Sequence, residues 1–232
     1  MTVAVMQPYL FPYLGYYQLL HATDVFVSYD DVQFIPRGYI HRNSLASGKF
    51  TVPLAKGSSR ALITERLVHE DLYPKFFQKF YRGWQQAYGK APHFADADVV
   101  LRRVMERPAA DVATLAGNSV QVVADYLDLK AAYKLSSNLD YDRSLSGQDR
   151  MLSLLSALGA TRYVNAIGGM ELYDADRFAA AGVELRFLRP DLDMAAPEPG
   201  FANSVLHLLA SHPPKQILDW LDQYTLIEKS ST

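Results

Sequence analysis

The fold class can be predicted from the stretch TVAVMQPYLFPYLGYYQLLHATDVFVSYD, residues 2–30. Residues 2–6 form a short apolar run typical of a strand, and a Gln-Pro pair ends it. Residues 13–21 carry apolar side chains at helical spacing, and residues 24–30 are rich in the β-branched and aromatic side chains of a second strand. A strand, a helix and a strand in this order predict a βαβ unit with two parallel strands.

The rest of the chain predicts a second unit of the same kind. Residues 161–165 and 183–188 have the pattern of strands, and residues 172–181 between them have that of a helix. The remaining predicted strands are 49–54, 61–68 and 131–136, and the remaining predicted helices are 72–90, 96–106, 110–127, 149–158, 201–210 and 215–224. Residues 31–43 and 189–200 lack a period and predict loops.

This order predicts an α/β protein with a mainly parallel, Rossmann-like sheet. The βαβ units lie at the two ends of the chain, and the middle carries a helical insertion or subdomain over residues 72–128. We expect residues 1–232 to form a single α/β domain, since this length suits one large domain.

Composition excludes several classes of protein. The chain is 49% hydrophobic and 21% charged, which is typical of a globular protein rather than a disordered one. It has no cysteine, which excludes disulfides, thiolate metal centres and a cysteine nucleophile. The net charge of -2 predicts no bulk attraction to DNA. Since no apolar run approaches the roughly 20 residues of a membrane helix, and the first residues do not resemble a signal peptide, we expect a cytoplasmic protein without membrane insertion.

The first candidate site is QPYLFPYLGYY, residues 7–17, which follows the first predicted strand and begins the first helix. Ligands of open parallel sheets bind at the carboxyl ends of strands, and the start of a helix suits a phosphate or a carboxylate. The candidate binding residues in this stretch are Gln7, Tyr13, Gly15 and Tyr16. The alternative is a proline-rigidified turn packed with aromatic side chains.

The second candidate site is the polar loop that follows the second strand. His41 is the best candidate for a general base, with Asp30 or Asp31 to orient it or to bind a divalent cation. The candidate substrate- or anion-binding residues of the same loop are Gln33, Arg37, Arg42 and Asn43. The alternative is a solvated loop held by Arg–Asp pairs.

A weaker candidate follows a later strand. Asn165 and Gly168 precede a predicted helix, where backbone groups could cradle an anion, although a plain helix–strand turn explains the two adjacent glycines as well. No group of side chains has the spacing of a recognisable metal site, so we predict none.

The sequence also resembles a known family. The stretch QPYLFPYLGYYQLL is similar to the opening signature of the WbqC-like protein family. Further similarity lies in YDDVQF at 29–34, in HRN at 41–43, and in looser matches as far as about residue 190. The resemblance is strong over residues 1–53. The resemblance implies that the protein acts in the biosynthesis of O-antigen, another surface polysaccharide or a natural product, because the genes of family members lie in gene clusters for those pathways.

A remoter resemblance connects the first turn with nucleotidyl transferases and pantothenate synthetase-like ligases. Their HxGH signature follows a strand and begins a helix, and here Tyr13 and Tyr16 stand where that signature has histidines. The stretch KLSS at 134–137 faintly resembles the second phosphate motif of that superfamily. This resemblance implies that Ser136 and Ser137 contact an anion.

We expect from these features a transferase or ligase that moves an acyl or aminoacyl group to an amino sugar or another small amine. The sequence leaves the donor open, with a nucleotide or a CoA-type donor as candidates. The expected partner is a small molecule, for which a nucleotide-linked sugar is a candidate, and the sequence leaves the oligomeric state open. The alternative from another class is a non-catalytic nucleotide- or sugar-binding protein on a degenerate nucleotidyl transferase-like fold.

Overall fold

A computed structural model describes residues 1–192 and 203–229 of the chain. The first βαβ unit is confirmed. It consists of β1 (Thr2–Met6), α1 (Leu14–His21) and β2 (Val25–Ser28), and β1 pairs with β2 in parallel, with Val3 opposite Val25. The helix begins directly after the Pro-rich turn, and its first seven residues are buried.

The second βαβ unit is also confirmed. The helix α5 (Gly147–Ala157) precedes β6 (Arg162–Ala166), which α6 (Ala175–Ala180) connects to the parallel strand β7 (Glu184–Pro190). The helix α6 is shorter than predicted, because a 3-10 helix over Ile167–Leu172 and an Asp174 cap come before it.

Six strands of the described residues form one sheet in the order β5-β2-β1-β6-β7-β8, where β5 is Ala132–Leu135 and β8 is Tyr224–Ile227. The pairs from β5 to β7 are all parallel, which confirms the mainly parallel sheet. The edge strand β8 runs antiparallel to β7 and had not been predicted. It was missed because its four residues follow α8 (Pro214–Leu221) with two residues between them, and the predicted helix ran across that turn to residue 224.

Two predictions for residues 31–68 are wrong. The predicted loop includes the first residues of β3 (Arg42–Leu45), which forms an antiparallel hairpin with β4 (Gly48–Thr51). The predicted strand over 61–68 is a 3-10 turn at Ile63–Glu65 flanked by isolated bridges. The segment contains apolar residues at 61–63 and 67–68, but Ile63 packs into a small separate core with Phe34 and Ile40 rather than in a sheet.

The middle of the chain is helical, as predicted. It contains α2 (Tyr73–Tyr88), α3 (Phe94–Met105) and α4 (Val112–Tyr126). Asp111 caps α4 by accepting a hydrogen bond from the backbone N–H of Thr114 over 2.8 Å, as its position predicted. The helix α7 (Val205–Ser211) follows the residues outside the described part, where most of the predicted 189–200 loop and the start of the predicted 201–210 helix lie.

Two apolar cores lie on the two faces of the sheet, because successive side chains of a strand point to opposite faces. On one face, Ala4 and Phe26 pack with α1, the middle helices, α7 and α8. On the other face, Val5 and Val27 pack with α5 and α6. Both faces are therefore covered, and the loops that follow the parallel strands meet at the carboxyl edge of the sheet.

Candidate functional site

The strand order has a switch point between β1 and β6. From β1 the chain proceeds outward to β2, and from β6 it proceeds outward in the opposite direction to β7. Ligands of open α/β sheets bind beside such a point. Gln7 follows β1 there, and Asn165 and Gly168 lie at the end of β6, so the structure brings these three predicted residues to one edge. Asn165 is buried, and its Oδ1 accepts a hydrogen bond from the N–H of Ala166 over 2.8 Å.

The predicted aspartates lie at the ends of neighbouring strands, beside the predicted serines. Asp30 accepts hydrogen bonds from the backbone N–H and the hydroxyl of Ser137 over 2.9 and 2.8 Å. The Ser136 hydroxyl lies 2.9 Å from Asp30 Oδ1 and 2.6 Å from Asp31 Oδ1. The carboxyl ends of β2 and β5 are thus joined by four side chains that sequence analysis had assigned to two different motifs.

Two arginines complete this cluster, and neither belongs to the predicted site. Arg143 donates from Nε to Asp31 Oδ2 over 2.8 Å, and Arg150 Nη2 lies 3.3 Å from Asp31 Oδ1. The Tyr141 hydroxyl also reaches both carboxylate oxygens of Asp31. Burial favours the neutral acid, but hydrogen bonds from Ser136, Tyr141 and Arg143 and the charge of Arg150 outweigh it and lower the pKa of Asp31. Asp31 is therefore a charged anchor whose oxygens are all engaged.

The first turn is packed tightly. Tyr16 is buried and donates its hydroxyl hydrogen to the carbonyl of Gln7 over 3.0 Å. A Cβ on Gly15 would lie 2.6 Å from Cε2 of Tyr13, so the absence of a side chain at Gly15 makes room for the Tyr13 ring. The space that had been expected to admit a ligand beside Gly15 is filled by this ring.

The polar side chains of the loop after β2 do not converge on one site. Gln33 donates to the carbonyl of Ser59 over 2.9 Å, and Arg37 is exposed. Arg42 donates from Nε to the carbonyl of Gly38 over 2.8 Å and lies over the ring of Tyr39. The ring of Tyr39 stacks on Tyr9, and among the described residues no hydrogen bond joins Arg42 to Tyr13 or Gly15.

Asn43 faces inward from the same loop. Its Nδ2 donates to the carbonyls of Leu10 and Phe11 over 3.0 and 2.7 Å. These two hydrogen bonds therefore hold the turn after β1 in place.

His41 lines a cavity of its own. The cavity holds about 350 Å³, and its walls come from the loop after β2, the end of the hairpin and residues 53–66. The lining residues are Phe34, Pro36, His41, Thr51, Val52, Pro53, Leu54, Gly57, Ser58, Ser59 and Arg66. The His41 side chain is 9% exposed, and its ring packs against Phe34 with 5.3 Å between centroids.

Both ring nitrogens of His41 lack a partner among the described residues. Nδ1 is buried without a hydrogen bond, whereas Nε2 also has none but is not fully buried. Buried polar atoms in proteins are nearly always hydrogen-bonded, so an exception calls for a ligand or a functional explanation. Neither Asp30 nor Asp31 orients His41, because both carboxylates are engaged at the edge of the sheet.

Arg66 enters the same cavity from the segment that had been predicted as a strand. Its Nη2 donates to the carbonyl of Ala55 over 3.1 Å, and its guanidinium carbon lies 5.2 Å from the centre of the Phe34 ring. Its Nε is buried and has no acceptor among the described residues. A Cβ on Gly57 would lie 2.0 Å from Arg66 Nη1, so this glycine makes room for the guanidinium.

The charges around His41 determine its protonation. Burial, together with the positive charges of Arg42 and Arg66, lowers the pKa of the His41 imidazole from 6.5 to about 4. The ring is therefore neutral at pH 7. A neutral imidazole can accept a proton at one nitrogen and donate a hydrogen bond from the other.

The structure offers no preformed metal centre in its described part. Residues 1–192 and 203–229 contain no group of three or more His, Asp or Glu side chains placed to hold an ion. Over the same residues, no helix combines the length and the apolar character needed to cross a bilayer.

Comparison with known proteins supports the resemblance seen in the sequence. The model of the WbqC-like protein family matches residues 7–217. The uncharacterized protein Rv1507c of Mycobacterium tuberculosis is 25% identical over 195 residues, which cover 82% of each chain. No solved structure matches the chain. Since the family match covers residues 7–217, well over half of the chain, the protein belongs to the WbqC-like protein family.

Proposed function

We propose that this protein is a transferase that moves an acyl or aminoacyl group to the amine of a small polar molecule, with the cavity around His41 as its active site. The observation that carries the proposal is a buried, unpartnered and neutral histidine in a cavity of about 350 Å³. A catalytic base is expected to sit in such a site with a free nitrogen.

The chemistry needs few protein groups. The amine nitrogen attacks the carbonyl carbon of the donor and forms a C–N bond, and the bond to the leaving group breaks. The proton that the nitrogen loses passes to His41 and then to the leaving group. Direct transfer of this kind needs positioning and a base but no covalent nucleophile, and the chain has no cysteine to provide one.

Arg66 lines the same cavity and supports the same reaction. A guanidinium beside the reacting carbonyl stabilises the negative charge that develops on its oxygen. The Phe34 ring lies against both His41 and Arg66, which fixes the two side chains relative to one another.

Family membership supports a pathway rather than a substrate. The resemblance to WbqC-like proteins favours an amino sugar of O-antigen or another surface polysaccharide, or an amine of a natural product, as the acceptor. The donor is proposed to be a CoA thioester or an acyl group activated by a nucleotide.

The test combines a panel of substrates with a single change. Purified protein is incubated with free and nucleotide-linked amino sugars, and with either acyl-CoA or an amino acid plus ATP, and the products are weighed by mass spectrometry. We expect one pair to yield an acylated amine, and we expect His41→Ala to lower the rate by roughly a hundredfold or more. His21→Asn is the matched control, because His21 makes only an exposed pair with Asp222.

The alternative of a non-catalytic binding protein gives a different outcome. In that case a nucleotide or a sugar raises the melting temperature, but no pair of substrates yields product. Full turnover in a folded His41→Ala protein would instead show that the protein is an enzyme but that His41 takes no part in its mechanism.

A further inference from the structure

We infer that the cavity of His41 and Arg66 binds a compact oxyanion, the carboxylate or phosphate group of the substrate. This inference deepens the proposed function by naming a substrate class for the same cavity. It rests on that function only in the identity of the cavity, since binding of an anion requires no turnover.

The positive charge of Arg66 has no counter-charge in the part of the chain that the structure describes. No carboxylate of the described residues lies within ion-pair distance of Arg66, although most other partly buried arginines have one, as Arg150 and Arg186 do. The residues that line the cavity include neither aspartate nor glutamate. A partly buried cation without a counter-charge is costly, so an anion from outside is the expected partner.

The hydrogen-bond donors point to the same ligand. Among the described residues Arg66 donates only from Nη2, so its Nε and Nη1 have no acceptor there. A neutral His41 provides one further N–H group, and Ser58 and Ser59 also line the cavity. Arg66 and His41 thus offer several hydrogen-bond donors to one ligand, as an oxyanion requires.

The placement of Arg66 is specific. Its guanidinium donates to the Ala55 carbonyl and lies over the Phe34 ring. It occupies space that is open because Gly57 has no side chain. A Cβ at position 57 would lie 2.0 Å from Nη1, at the flexible end of the Arg66 side chain, so a larger residue there would displace the guanidinium. Pro36, Pro53 and Leu54 add apolar side chains to the lining, which suits a carbon skeleton attached to the anion.

The test measures anion binding without any reaction. Melting temperature and isothermal titration are recorded with inorganic phosphate and with glucuronate, and glucose serves as the neutral match of glucuronate. Sodium chloride keeps the ionic strength constant. We expect saturable binding of at least one of the two anions, and no response to glucose. The anion that binds more tightly identifies the group as a phosphate or as a carboxylate.

Variants then locate the site. We expect Arg66→Gln to weaken anion binding at least tenfold, and Gly57→Ala to weaken it as well, although the charge remains. Arg60→Gln is the matched control on the same segment, because Arg60 is exposed and its side chain has no partner among the described residues. Equal binding by Arg66→Gln and the unchanged protein, or no saturable response to either anion, would overturn the inference.

The two proposals can fail separately. If an anion binds through Arg66 but no donor and acceptor react, the anion site stands and the proposed reaction is wrong. If the transfer proceeds in Arg66→Gln with an unchanged KM, the reaction stands and the anion site is wrong.

Discussion

Arg143 donates a hydrogen bond from Nε to Asp31 Oδ2 over 2.8 Å, across 112 positions of the chain. The bond joins the loop after β2 to the segment between β5 and α5. Ser136, Tyr141 and Arg150 reach the same carboxylate, so Asp31 fixes the point from which the chain leaves the sheet toward His41.

We expect Asp31→Asn to lower the free energy of unfolding by about 3 kcal/mol, the usual cost of breaking a pair that involves a buried charge, because Arg143 and Arg150 lose the buried carboxylate beside them. Urea unfolding followed by circular dichroism measures the change. Asp140→Asn is the control, because Asp140 is exposed and makes no hydrogen bond among the described residues, and its midpoint should match that of the unchanged protein. A midpoint for Asp31→Asn equal to that of the control would contradict the anchoring role.

His41 predicts how stability depends on pH. Its pKa is about 4 in the fold and 6.5 in an unfolded chain, so the unfolded chain binds a proton first as the pH falls. Its contribution to stability is complete above pH 6.5 and is lost between pH 6.5 and 4. Arg42 and Arg66, the charges that face it, stay positive over this range.

We therefore expect the unchanged protein to lose about 2 kcal/mol more stability between pH 7 and pH 5 than His41→Asn does. Urea midpoints at the two pH values measure the difference. Asp31 does not account for this difference, because its pKa is lowered from the ordinary value of an aspartate and both proteins retain it. Equal losses in the two proteins would show that His41 titrates normally.

The same pKa predicts the pH dependence of turnover. If His41 is the base, the rate falls only when the imidazole is protonated, so the acidic limb of kcat/KM should lie near pH 4 rather than near 6.5. Rates measured from pH 4 to 8 should stay level between pH 5.5 and 7. A limb near pH 6.5 would point to a different base.

The sheet was predictable from sequence because its signals are local. Each βαβ unit lies within about 30 residues, and the apolar runs of β1, β2, β6 and β7 are bounded by Pro, Gly or Asp. The edge strand β8 and the hairpin strand β3 have weaker signals, since two residues of β3 and all four residues of β8 are not fully buried, and the turns beside them are short.

The candidate site was predictable only in part. His41, Asp30 and Asp31 were placed in one site because they share a loop, whereas the structure separates the aspartates from the histidine. The sequence did not predict Arg66 or Arg150 as site residues, because each lies far along the chain from the rest of its cluster. Arg66 is 25 positions from His41, and Arg150 is 119 positions from Asp31, so only tertiary folding brings them together. No local pattern marks either residue, apart from the unusual position of Arg150 at the positive end of α5.

The turn after β1 contains a strained backbone residue that the sequence motif does not reveal. Phe11 has a φ of 45°, a conformation that costs a non-glycine residue about 1 kcal/mol or more. Three side chains hold it. Ser119 accepts from the Phe11 N–H over 2.8 Å, while Asn43 and Ser204 donate to the Phe11 carbonyl over 2.7 and 2.9 Å. Buried partners of this kind allow a strained residue to persist.

We expect Asn43→Ala to lower the free energy of unfolding by about 2 kcal/mol, because the buried carbonyl of Leu10 loses its side-chain donor and that of Phe11 keeps only Ser204. Asn43→Asp should be worse at pH 7, since an ionised carboxylate donates nothing and would face two carbonyl oxygens. Urea unfolding measures both changes, and the exposed Asn118→Ala on α4 should leave the midpoint nearly unchanged. If Asn43→Asp were as stable as Asn43→Ala, the amide would not be the group that holds the turn. The strain at Phe11 would then have to be borne by Ser119 and Ser204 alone.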